Sequence, residues 1–118
     1  MIKIKVNYLN NNINEIIIEG HSGYEESGKD IVCASVSSIS ITTINAIIRL
    51  YKNAITYEEK DGYLKITIMT HNEYVDTLIV NMLDLFKELE IKYKKYIKIK
   101  YEEVYHEFTA IKHSIICP

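Results

Sequence analysis

The chain opens Ile2-Lys3-Ile4-Lys5-Val6-Asn7-Tyr8-Leu9, turns at Asn10-Asn11-Asn12, and returns as Ile13-Asn14-Glu15-Ile16-Ile17-Ile18-Glu19. Ile2, Ile4, Val6 and Tyr8 fall on one face of an extended segment, with Lys3, Lys5 and Asn7 on the other. That period of two marks a strand buried on one side. Asn tolerates the left-handed backbone region, so the three asparagines read as a hairpin turn between two antiparallel strands. A chain that begins with a one-sided hairpin needs something apolar to cover it, and this requirement decides the fold class.

The covering elements follow. From Ile31 the apolar spacing changes: Val32, Val36, Ile39, Ile44, Ile47, Ile48 and Leu50 sit near helical intervals. Asp30 is suited to cap that helix. The segment is rich in Ser, Thr and Ile, mediocre helix formers, so burial must hold it. Asn53 to Lys60 and Tyr63 to Thr70 flank Asp61-Gly62, a strong hairpin signal. Asn72 or Glu73 opens a second helix with a broad apolar face of Val75, Leu78, Ile79, Met82, Leu83, Leu85, Phe86 and Leu89. Ile97, Ile99 and Tyr101 alternate with Lys98 and Lys100 as a fifth strand. The expected fold is α+β, a two-layer sandwich in the order ββαββαβ, with an antiparallel sheet of about five strands under two main helices. Residues 1–101 form one domain, and 102–118 are a C-terminal extension of unassigned role.

Composition narrows the function. At 118 residues and 47% hydrophobic, the chain suits one core. The net charge of −2 argues against a strong electrostatic hold on nucleic acid but leaves a local basic patch open. No apolar run reaches the roughly 18 residues a membrane helix needs, and the alternating N-terminus is unlike a signal peptide. Two Cys, 33 and 117, are not a disulfide framework. A cytoplasmic location without membrane contact is expected. His71, His106, His113 and Cys117 with Cys33 match no compact ligand spacing, so no metal is expected.

Chemistry concentrates between the second strand and the first helix. The strand delivers His21 to a sheet edge, the helix opens within a residue or two of Cys33, and a Gly-containing loop, Ser22 to Asp30, joins them. A free thiol ionises near ~8.5, so only about 3% is thiolate at pH 7. A helix N-terminus and a neighbouring imidazolium each stabilise a thiolate. The pair therefore fits a thiol nucleophile with its base. The loop permits contact without forcing it, and a structural Cys beside a solvated His is the alternative.

Gly20-His21-Ser22-Gly23-Tyr24 followed by Gly28-Lys29-Asp30-Ile31-Val32-Cys33-Ala34 closely resembles the bacterial ribosomal-processing cysteine proteases. Their pattern is Gly-His, a Gly-containing loop, then Asp-Ile-Val-Cys-Ala. Similarity continues through Ser37 and Ile44-Asn45-Ala46-Ile47-Ile48, and more faintly to residue 101. The resemblance implies a homodimeric endopeptidase, free of cofactor, that removes the N-terminal extension of a large-subunit ribosomal protein precursor. It puts the nucleophile on Cys33 and the base on His21. Asp30 and Ser37 become supporting or substrate-binding residues, and Gly23 and Gly28 belong to a mobile loop. The substrate implied has Phe or a similar residue before the cut and a basic segment after it.

Each supporting role has a simpler alternative: Asp30 as a helix cap, Ser37 as a small packing residue, Glu25 and Glu26 as solvated loop residues. Ser22, Ser35 and Ser38 depart from the small residues common in the family, and 102–118 have no counterpart there. The rival classes are a non-enzymatic ribosome-associated binding module with a structural Cys33, and a thiol-redox sensor.

Overall fold

The computed structural model describes residues 1–20 and 27–103, with residues 27–30 described by backbone alone. Seven elements follow in the expected order: β1 (Ile2–Leu9), β2 (Asn12–Glu19), α1 (Ser27–Leu50), β3 (Ile55–Lys60), β4 (Tyr63–Ile68), α2 (Glu73–Lys92) and β5 (Ile97–Glu103). Both helices cover one face of a five-stranded sheet with strand order β3-β4-β2-β1-β5.

The turns form where the sequence allows the required backbone. Asn10 and Asn11 both take positive φ, 54° and 67°, the two-residue geometry whose twist matches a hairpin. At the β3–β4 turn Gly62 has φ 69°. The antiparallel expectation holds for β1–β2, β2–β4 and β3–β4 but not for β5, which pairs parallel with β1. The reason is directional. β4 already runs parallel to β1, and a strand–helix–strand unit returns its second strand in the direction of the first, so β5 leaves α2 parallel to both. β5 also carries on through Glu102 and Glu103, two residues beyond the expected end of the domain.

Ile2, Ile4, Val6, Ile16, Ile18, Ile66, Ile97 and Ile99 form the floor of the core. Val75, Ile79, Met82, Leu83 and Phe86 press on it from α2, at the intervals one helix face demands. Asn72 caps α2, its Oδ1 accepting the Val75 N–H at 3.0 Å. Leu85, expected on the apolar face, is 37% exposed.

α1 shows how a Ser/Thr-rich segment becomes a core helix. Val32, Val36, Ile44 and Ile47 are buried. Ser40 and Thr43, also buried, donate their hydroxyls to the Val36 and Ile39 carbonyls at 2.7 and 2.8 Å, so neither hydroxyl is left unpaired. By length and composition Ile31–Leu50 is apolar enough to cross a bilayer, which the interspersed hydroxyls hide in a residue-by-residue reading. Ile31, Ile41 and Leu50 remain exposed.

Candidate active site

β2 ends at Glu19, and Gly20 turns the chain out of the sheet. Its φ is 138°, and an added Cβ would lie 2.5 Å from the Met1 carbonyl oxygen and 2.9 Å from the Ile2 Cα. Both are backbone atoms that cannot swing away, so only glycine fits. The Gly20 N–H donates to the Gly62 carbonyl at 3.0 Å, tying the strand end to the β3–β4 turn. β2 is thus a central strand, not one at the sheet edge expected for the strand that leads to His21, because β4 and β1 flank it on either side. His21 and Gly23 lie outside the described residues, as do Glu25 and Glu26.

α1 starts earlier than its apolar spacing suggests. Ser27 to Asp30 are helical, so Gly28 sits in the helix and not in the loop, and Asp30 is the fourth helical residue and not the cap. Gly and polar residues are tolerated there because the N–H groups of a first turn have no intrahelical partner to lose. Cys33 is therefore the seventh residue, in the second turn. Its own N–H is committed to the helix, and the dipole field has weakened by that depth. The thiol is free and partly buried, packed against the core.

Ser37 lies one turn after Cys33 on the same helical face and is exposed. It lines a cavity of about 160 Å³ with Val36, Ser40 and Ile41 of α1, Ile18 and Gly20 at the end of β2, and Glu59 to Leu64 around the β3–β4 turn, Asp61 excepted. Cys33 lies one turn nearer the helix start than Ser37 and does not itself line this cavity. The structure thus brings the exit of β2, immediately before His21, to the helix face that carries Cys33 and Ser37. Glu59, Lys60, Tyr63 and Leu64 were not legible as site residues. Their hairpin is plain in Asp61-Gly62, but that it leans over α1 follows from β4 pairing with β2, a long-range choice that no local motif reports. Among the described residues, no group of three or more His, Cys, Asp or Glu is placed to hold a metal.

A family model described as cysteine protease Prp matches residues 1–98. The chain belongs to the Prp family of cysteine proteases. A ribosomal processing cysteine protease Prp from Staphylococcus aureus is 30% identical over 93 residues, covering 76% of this chain and 88% of that protein. The crystal structure of an S. aureus ribosomal processing protease Prp with a substrate peptide superposes with a TM-score of 0.79 at 26% identity, covering 86% of this chain and 99% of the other. A second Prp structure from that organism, with a covalently linked product peptide, gives 0.77 at 27% identity and the same coverage. The Prp family match stops at residue 98, inside β5.

Proposed function

We propose that this Prp-family protease cuts a large-subunit ribosomal protein precursor through a Cys33–His21 dyad and so removes the precursor's N-terminal extension. The observation that carries the reading is the shared cavity: the Gly20 backbone, one residue before His21, lines the same space as Ser37, one turn after Cys33. His21 takes the thiol proton, and the Cys33 sulfur attacks the scissile carbonyl. Collapse of the tetrahedral adduct expels the amine, which takes its proton from His21, and leaves a thioester. Water, deprotonated by His21, then releases the acid and the free thiol. With Cys33 in the second helical turn, activation falls mainly on His21 and less on the helix terminus. Asp30, by pairing with protonated His21, would hold the ring and its charge, whereas a carboxylate facing the sulfur would disfavour the thiolate. Ser37 hydrogen-bonds the sulfur or the substrate backbone. Glu25 and Glu26 attract the basic segment after the cut. No metal or organic cofactor enters this chemistry.

The enzyme is further proposed to be a cytoplasmic homodimer with no membrane contact. The exposed Ile31, Ile41 and Leu50 of α1 supply apolar surface, part of which a second copy would cover. Iodoacetamide alkylation tests the dyad. Cys33 should react well below the pH of about 8.5 at which an ordinary thiol ionises, and His21→Ala should move that profile upward. A Cys33 that hardly reacts in the folded protein points to a binding module. One that oxidises reversibly while the precursor peptide stays intact points to a redox sensor.

A further inference from the structure

β1 and β5 contain the same four residues, Ile-Lys-Ile-Lys, at 2–5 and 97–100. The parallel register sets them side by side: Ile2 against Ile97, Lys3 against Lys98, Ile4 against Ile99, Lys5 against Lys100. The four isoleucines are buried beneath the helices, so the four lysines all rise from the opposite, uncovered face, and all are exposed. Adjacent strands are about 4.8 Å apart and alternate residues of one strand about 6.7 Å apart. Four ammonium groups therefore spring from a patch of roughly those dimensions, with Lys94 and Lys95 exposed in the turn just before β5.

Like charges directly opposite one another on a sheet oppose pairing. This arrangement does nothing for the isolated fold. One carboxylate, Glu102, is shared between Lys5 and Lys100 at 4.0 and 3.3 Å, and Lys3 and Lys98 make no ion pair among the described residues. The other half of the same face is different. Lys65 meets Glu15 at 3.4 Å and Lys60 meets Glu58 at 3.6 Å. Hydrogen bonding to Glu15, and then its charge, holds the Lys65 ammonium above the ordinary lysine range, so that cation is already engaged. A chain of net charge −2 has thus set four exposed lysines side by side on one strand pair, with Glu102 between Lys5 and Lys100 and Glu19 of β2 across from Lys3.

We propose that the β1–β5 half of the open sheet face is an RNA-binding surface that holds the phosphate backbone through Lys3, Lys5, Lys98 and Lys100. A second copy of the chain is a poor occupant, because it would bring the same four cations. The choice of RNA among polyanions rests on the ribosomal-precursor reading, since a ribosomal protein is handled beside RNA. The four lysines alternate with inward-facing isoleucines and bring no aromatic ring to the patch, so contact is with phosphates and is indifferent to base sequence.

The test is fluorescence anisotropy of a labelled single-stranded RNA oligonucleotide with the full-length protein, over a range of salt. About four phosphate contacts at a slope near −0.7 each give a log K against log salt slope of roughly −3. Lys3→Gln/Lys5→Gln and Lys98→Gln/Lys100→Gln should each halve that slope and weaken binding at least tenfold. Lys→Arg at the same four positions should keep it, and Lys65→Gln, outside the cavity that Ser37 lines, should leave it unchanged. All these variants should cut precursor peptide at the wild-type rate. Absence of saturable binding at low salt overturns the proposal, as does equal loss in the Lys65 variant. Tighter binding to phosphatidylserine-containing vesicles than to RNA, lost in the same variants, would assign the face to membranes and overturn it too. Peptide cleavage is read separately, so failure of the protease reading leaves the anisotropy result to stand or fall alone.

Discussion

Replacing Gly20 by Ala adds one methyl group at a point where the backbone leaves no room for it. The new Cβ would stand 2.5 Å from the Met1 carbonyl oxygen, 2.9 Å from the Ile2 Cα and 3.2 Å from the Met1 carbonyl carbon. Relief requires the start of β1 to move, and β1 is the strand between β2 and β5, with its Ile2 N–H bonded to the Tyr96 carbonyl. A non-glycine residue held at a φ of 138° costs about 1–3 kcal/mol, and overpacking against a rigid neighbour about the same again. The sum, about 4 kcal/mol, corresponds to a Tm fall of roughly 20 °C in a domain of this size. Activity should suffer beyond stability, because Gly20 aims the residue that follows it. A displacement of about 1 Å at a catalytic group costs about 100-fold. The assay is thermal unfolding by circular dichroism together with kcat/KM on the precursor peptide at a temperature where the variant is folded. Gly62→Asn is the control, since Asn accepts a φ of 69° at about 1 kcal/mol. A Gly20→Ala protein with a Tm within a few degrees of wild type and undiminished cleavage would refute both the packing argument and the aiming role.

Other outcomes follow from the same structure. Phe86→Ala empties the centre of the core and should cost about 3–5 kcal/mol, read as a shifted denaturation midpoint. Asn72→Ala removes the α2 cap and should cost about 1 kcal/mol, with Asn72→Ser restoring most of it. Ser37→Ala should leave Tm near wild type, because the side chain is exposed, and should lower kcat or raise KM for peptide cleavage. Glu25→Gln/Glu26→Gln should raise KM for a peptide with a basic segment after the cut, and an unchanged KM at low salt would reject that role.

What could be read from the sequence was what is decided locally. Asn10-Asn11-Asn12 and Asp61-Gly62 gave away their turns because few residues accept left-handed backbone, and Asn72 gave away its helix because a cap needs a short acceptor. The seven elements and their order came from apolar spacing. What escaped reading was decided by tertiary contact. Ser27 to Asp30 look like loop but are helical, since a first turn places few demands on its residues, and this moves Cys33 a full turn inward. The parallel β1–β5 pairing, and with it the lysine face, depends on which strand α2 returns beside. At the site, Cys33 and Ser37 were legible as one helical face. The cavity that Ser37 shares with Gly20 and the β3–β4 turn was not, because β2 and β4 meet across more than forty residues of chain.

Incubation with a peptide spanning the N-terminal junction of the ribosomal protein precursor, read by mass spectrometry, tests the central claim most directly. Wild-type protein should yield two products split after the apolar residue, with Cys33→Ala and His21→Ala both folded and inactive. An intact peptide with the wild-type protein, or the same two products from Cys33→Ala, would contradict the account.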